Sequence, residues 1–317
     1  MSVKVLLFGD VGIDDTMALI YAYFKEEVEL VGVVADYGNV PRKRAVLNVR
    51  YLSRLFGISE KKVKIIGGAE KPFSGETPAY SPEIHGKYGL GPIVPPDLPD
   101  GVIENFFEIV NIIKQHQEEL VVVNIGRLTS LATMFILYRE LMRTIKSFYI
   151  MGGAFWVPGN ITAVAEANFY ADPIAAKTVL THAHNVTIIP MNVTEKAIVT
   201  PEMVDYIAYI GKAKIVKPLL DYYYNFYKKR NPHVQGSPVH DALTLMATIN
   251  EEMFGFRNLP VQIVQDQKGA ARGQSIADIR PYLNPENGGG KEHRIAFTLD
   301  YPKFYREFMS IMTGEAF

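Results

Sequence analysis

The sequence has no cysteine and a single tryptophan in 317 residues. Without cysteine there are no disulfides, thiolate zinc sites, iron–sulfur clusters or cysteine nucleophiles. Any metal must then sit on oxygen or imidazole. An excess of either charge is also missing: 33 basic and 34 acidic residues leave a net charge of -1. No broad positive field is available for nucleic acid or an anionic membrane, and a small, nearly neutral substrate fits better. No apolar stretch approaches the roughly 18 residues of a spanning helix. The apolar run in MSVKVLLFGD is too short for a secretory segment and reads as a first strand, so a cytoplasmic protein is expected. There is no G-x-x-x-x-G-K-[ST] loop to support phosphate binding of that type. No repeat, low-complexity tract or polar linker divides the chain, and residues 1–317 are expected to form one domain.

The 48% hydrophobic and 21% charged residues suffice for a large core. Short β-branched runs, VKVLLF, VELVGVVA, VKIIG, LVVVNI, SFYIMGG and VTIIP, alternate with longer helical patterns and are bounded by Gly, Pro, Asn or Asp. This alternation predicts an α/β fold with an open, mostly parallel, Rossmann-like sheet and helices on both faces. Residues 14–24 and 41–56 carry apolar side chains at helical spacing, as does the tail YPKFYREFMSIM. Two segments break the rhythm. Residues 70–100 hold seven prolines and His85, and residues 222–237 hold clustered tyrosines followed by KKR and NPHVQG. Both read as long loops at an active site, in the manner of lids.

The strongest chemical signal is GDVGIDD, residues 9–15, where the first strand ends and a helix begins. Ligands of open α/β sheets bind beyond the carboxyl ends of the strands. Three carboxylates within six residues repel one another unless a positive charge lies between them, and a hard divalent cation is the natural candidate. The plainer alternative is that Asp14 or Asp15 only caps the helix. One carboxylate would suffice for that. Gly12 fits a tight turn that brings backbone close to a ligand.

Here the sequence resembles the inosine-uridine-preferring nucleoside hydrolases, whose N-terminal signature is D-x-D-P-G-x-D-D. Asp10, Gly12, Asp14 and Asp15 match it, while Phe8 replaces the first Asp and Val11 replaces Pro. Further matches follow in order: YGN at 37–39, HGKYGLG at 85–91, and IGRLTSLA at 125–132 for T-G-P-L-T-N-L-A. MGGAFWVPGNITAVAEANFYADPIAA at 151–176 is the most specific segment. MNVT at 191–194, GSPVHDAL at 236–243 and GAARGQSIAD at 269–278 complete the set. The resemblance covers nearly the whole chain and implies the nucleoside hydrolase fold.

It also implies roles. Calcium would be held by Asp10, Asp15, Asp241 and the main-chain carbonyl of Ile125. It would bind the attacking water, with Asp10 placed to take the proton. Asp14, Asn39, Asn160, Glu166 and Asn168 would grip the ribose hydroxyls. Taken singly, each of the three asparagines is better explained by a turn, and their joint placement beside the matched motifs reverses that judgment. His240 would stand near the departing base as a proton donor, and His85 would line the base pocket. Against these stand an Asp241 that merely caps a helix and a His85 in solvent. The implied reaction is hydrolysis of the N-glycosidic bond of a ribonucleoside through an oxocarbenium-like state, in a homodimer or homotetramer.

Tyr223, Tyr224 and Tyr227 are candidates for contact with such a base but read more simply as packing, as does Trp156. Asp172 before Pro173 reads as a helix N-cap. His182 and His184 lack partners at metal-ligand spacing. An aspartate-nucleophile phosphatase needs Asp-x-Asp at the strand end, and position 8 is Phe. A second reading, a nucleoside or pentose binder with little hydrolase activity, is motivated by Phe8 and Asn192, which stand where the family usually has Asp. An apolar residue at position 8, behind the metal loop, would reshape the ion site.

Overall fold

The computed structural model describes residues 2–96, 105–280 and 290–317. The six β-branched runs form strands β1 (Val3–Gly9), β2 (Val28–Ala35), β3 (Lys64–Gly67), β4 (Leu120–Asn124), β5 (Ser147–Met151) and β6 (Val186–Ile189). They lie in the order β3-β2-β1-β4-β5-β6, all parallel. The chain winds outward from β1 in one direction through β2 and β3, and from β4 in the other through β5 and β6. The strand order therefore reverses between β1 and β4, which opens a crevice above their carboxyl ends.

The buried runs explain the layering. Along β1, Val5 and Leu7 face one apolar core, and Leu6 and Phe8 face the other, as the two-residue period of a strand requires. The first core is closed by helices Ile13–Phe24, Arg42–Leu55, His240–Met246 and Tyr301–Thr313, the second by Glu108–His116, Thr129–Leu137 and Pro173–His182. The sequence patterns at 14–24, 41–56 and the tail thus become helices within one or two residues.

Beyond β6 the sheet continues in a way the alternation did not signal. Strands β7 (Ile198–Val199) and β8 (Ser237–Pro238) form a small separate ladder. Strands β9 (Phe254–Ile263), β10 (Ser275–Ala277) and β11 (Lys291–Leu299) extend the main sheet to nine strands, with β11 parallel to β6, β9 antiparallel to β11 and β10 antiparallel to β9.

The tyrosine-rich segment is a correction. Residues 222–230 are the end of a helix, Val216–Arg230, and only 231–236 form a loop. The buried positions Val216, Leu219, Leu220 and Tyr223 are spaced i, i+3, i+4, i+7, an apolar stripe that appears once tyrosine is counted as core-forming. Residues 70–96 are irregular apart from one turn, Pro82–His85, and residues 97–100 of the proline-rich segment lie outside the described residues.

Candidate active site

A cleft of about 520 Å³ lies over the crevice. Asp14, Asn39, His85, Ile125, Asn160, Glu166, Asn168, His240 and Asp241 all line it. Asp10 and Asp15 are not part of the lining; they are buried beside it, Asp10 bonded to the lining residues Arg127 and Asn39 and Asp15 to Asn39. Packing of helix Ile13–Phe24 against helix His240–Met246 brings residues 226 positions apart in the chain together. Oxygen atoms of Asp14, Asp15 and Asp241 lie within 4.8 Å of one another, all three residues buried.

Each acid is held differently. Asp15 accepts from the backbone N–H of Gly12 (2.9 Å) and Asp10 (3.1 Å) and from Asn39 Nδ2 (3.1 Å). It therefore caps its helix and belongs to the cluster at once, so the two readings of that residue do not compete. Gly12 is required by close approach: a Cβ there would meet His85 Nδ1 at 2.5 Å and Asn39 Nδ2 at 2.9 Å. Asp241 does not cap its helix, which starts at His240 and has no side-chain cap bond. Asp10 accepts at Oδ2 from Arg127 (2.8 Å) and from the backbone N–H of Asn39. Its Oδ1 and that of Asp14 are buried without a hydrogen-bond partner. Burial and the neighbouring carboxylates raise Asp15 and Asp241 well above the ordinary carboxylate range and Asp14 to about 6. Burial also raises Asp10, against the opposing pull of Arg127. A buried carboxylate cluster with orphaned oxygens needs protons or a cation. Oxygen-only donors of this charge fit a hard divalent ion.

Glu166 caps the short helix Ala167–Ala171, accepting from the N–H groups of Asn168 (2.7 Å), Gly153 (3.0 Å) and Phe169 (3.2 Å). Asn168 donates to the Ile125 carbonyl (3.0 Å) and the Met151 carbonyl (3.2 Å). Asn160, at the exposed rim, accepts from Ala167 N–H (2.9 Å). His85 is buried rather than solvated. Its Nδ1 accepts from Ile13 N–H (3.1 Å), and burial lowers its pKa to about 3, so the ring is neutral with its proton on Nε2.

Beside the His85 ring, Tyr223 donates to Asp14 (3.4 Å), Tyr227 donates to Tyr223 (3.2 Å), and Tyr227 lies 3.4 Å from His240 Nε2. His240 Nδ1 meets Thr194 Oγ1 at 2.8 Å, and burial lowers its pKa to about 4. The neutral imidazole carries one proton, and each ring nitrogen faces a hydroxyl, Nδ1 that of Thr194 and Nε2 that of Tyr227.

The sequence matches the inosine-uridine preferring nucleoside hydrolase family over residues 5–306. The chain belongs to that family. It is a hydrolase acting on the glycosyl bond of ribonucleosides. It is 29% identical over 307 residues to probable uridine nucleosidase 1 of Oryza sativa subsp. japonica, covering 94% of this chain and 93% of that protein. It is 28% identical over 314 residues to the inosine-uridine preferring nucleoside hydrolase of Crithidia fasciculata, covering 96% of each. Among solved structures, the purine-preferring ribonucleoside hydrolase from Gardnerella vaginalis superposes with a TM-score of 0.89 at 29% identity, covering 98% of each chain.

Against the family pattern, two unusual residues have structural explanations. Phe8 is 1% exposed in the core on the far side of the sheet. Asn192 accepts from Phe155 N–H (3.0 Å) and donates to the Phe155 carbonyl (2.7 Å), a reciprocal pair that a carboxylate, lacking a donor, could not complete. Trp156 stacks on Phe297 (centroids 5.3 Å apart) and stays half-exposed. Asp172 caps its helix at Ala175 (3.0 Å) as expected.

The cleft is also lined by Arg127, Arg272, Tyr223 and Tyr227. Arg127 and Arg272 sit inside motifs quoted above, at positions the patterns did not single out. Tyr223 and Tyr227 were discounted as packing, and they are buried in the core and line the cleft at once. The signal that could have found Arg127 is a charge where the family's T-G-P has proline.

Proposed function

We propose that this nucleoside hydrolase cleaves its substrate over a calcium ion held by Asp10, Asp15, Asp241 and the Ile125 carbonyl. The observation that carries the proposal is the convergence of buried carboxylate oxygens of Asp14, Asp15 and Asp241 at the crevice, beside an Asp10 whose Oδ1, like that of Asp14, is buried without a hydrogen-bond partner. A calcium ion held there would supply Lewis acidity toward the attacking water.

The chain's own residues do the rest. Asp10, with Oδ1 free, takes the proton of the attacking water. Asp14, Asn39, Asn160, Glu166 and Asn168 orient the ribose, amides offering donors and acceptors and carboxylates accepting from hydroxyls. The same carboxylates stabilise positive charge as it develops on the sugar. His240, a neutral imidazole lining the cleft between the Thr194 and Tyr227 hydroxyls, gives the departing base its proton. His85 and Tyr223, with ring centroids 5.6 Å apart, border the base. Residues 1–317 act as one domain, because the ion's ligands come from both ends of the chain. No helix among the described residues is long and apolar enough to cross a membrane; the corresponding setting is a cytoplasmic homodimer or homotetramer acting on free nucleosides and not on nucleic acid.

The test is release of base and ribose from inosine, uridine and cytidine, with and without a calcium chelator, beside Asp10→Ala. Chelator-sensitive cleavage that disappears in the variant is expected. Calcium binding without cleavage of any nucleoside would instead support a nucleoside-binding protein.

A further inference from the structure

Arg127 is the residue of the cleft that fits the cation reading least easily. It stands where the family's T-G-P has proline, directly after the carbonyl-bearing Ile125 and Gly126. Its side chain is 9% exposed, and its Nη1 donates both to Asp10 Oδ2 (2.8 Å) and to Asn168 Oδ1 (2.9 Å). Nε is buried with no partner among the described residues. A full positive charge is therefore fixed on the very carboxylate expected to ligate the ion.

Two further observations follow the same line. The acidic oxygens that converge belong to Asp14, Asp15 and Asp241, without Asp10. And the Ile125 carbonyl, the expected main-chain ligand, is taken by Asn168 Nδ2, whose Oδ1 is in turn held by Arg127. One guanidinium thus engages Asp10 directly and, through Asn168, the carbonyl.

We propose that Arg127 is a resident counter-ion that competes with the divalent cation for Asp10, so that cation binding requires the guanidinium to withdraw. This rests on the calcium reading above and deepens it. Arg127 is a positioning residue: it acts on the ion through Asp10 and Asn168, and sets how tightly this chain holds the metal. In water-poor surroundings a unit charge beside a ligand weakens cation binding through direct repulsion as well as through occupancy.

The experiment is calorimetric titration of calcium chloride into chelator-washed protein, wild type beside Arg127→Gln, Arg127→Ala and Arg127→Lys, with circular dichroism to establish folding. Removing the charge is expected to tighten calcium binding at least about tenfold in the neutral variants, while lysine, which keeps the charge, stays within about threefold of wild type. In parallel, melting in chelator should fall in the neutral variants and recover with calcium by more than in wild type, because Asp10 has lost its internal cation. Either neutral variant suffices if the other fails to fold. A folded neutral variant with wild-type or weaker affinity overturns the proposal, as does a lysine variant that binds as tightly as the neutral ones. Absence of calcium binding in every protein overturns the metal reading itself, and this inference with it.

Discussion

Arg272 ties three separate pieces of the cleft wall together, and its removal offers a quantitative test of the fold. The guanidinium donates to the carbonyls of Gln267 (2.7 Å), Tyr170 (2.8 Å) and Ala171 (3.1 Å) and grips the Glu76 carboxylate. The two carbonyls at 170 and 171 end the short helix that carries Asn168 and have no further helical turn to bond to. Arg272→Ala strands these carbonyls at a residue 6% exposed; at roughly 1 kcal/mol or slightly more each, the three bonds amount to about 3–4 kcal/mol. The Glu76 side chain is 44% exposed, so its share is at most about 1 kcal/mol. For a chain of this size, about 4 kcal/mol corresponds to a melting-temperature drop of about 6 °C. Differential scanning calorimetry of Arg272→Ala and Glu76→Gln should therefore show a large shift in the first and a small one in the second. Since residues 76 and 168 line the same cleft, KM for nucleoside should rise in Arg272→Ala. A shift under 1 °C, or equal shifts in the two variants, would refute the assignment of the carbonyl bonds as the main term.

Three other expectations can be checked separately. Tyr227→Phe removes the hydroxyl between Tyr223 and His240 and should lower kcat about tenfold or more with the fold intact; an unchanged kcat would exclude the Tyr227 hydroxyl from supporting His240 in leaving-group protonation. Burial raises Asp36 to about 8 although Ser130 and the Ala69 N–H bond to it. A folded pKa above the unfolded 3.8 means a stabilising contribution present below that value and lost as pH rises through about 8. Urea unfolding at pH 5.5 and 8 should then show wild type losing up to about 3 kcal/mol relative to Asp36→Asn, and parallel stabilities would contradict this. Phe8→Asp, which restores the family's residue, buries a carboxylate in an apolar core and should cost about 3–5 kcal/mol in the same assay; a cost under about 1 kcal/mol would mean that position 8 does face the ion loop.

The parts of the site that were legible in the sequence are those where a local rule has one solution. GDVGIDD at a strand end fixes a turn, a helix start and a close-packed set of acids, because Gly12 leaves no room for a Cβ under His85 and Asn39. Glu166 and Asn168 were readable through their motif, though not the three backbone N–H groups that hold Glu166. A loop histidine carries no period from which burial can be read, so the buried position of His85 is a result of the tertiary fold.

Alternation of short β-branched runs with helical patterns was enough to determine an α/β chain, six parallel strands and the crevice at the first of them. Those are consequences of two- and 3.6-residue periods and of right-handed crossovers, which need only local sequence. The extension by β11, parallel to β6, and by the antiparallel β9 and β10 was decided by pairing at an open sheet edge, a long-range choice. So was the approach of Asp241 to Asp14 and Asp15. Which charge Asp10 faces was settled last: Arg127 is 117 residues away, and only the meeting of β1 with β4 brings its guanidinium within 2.8 Å of that carboxylate.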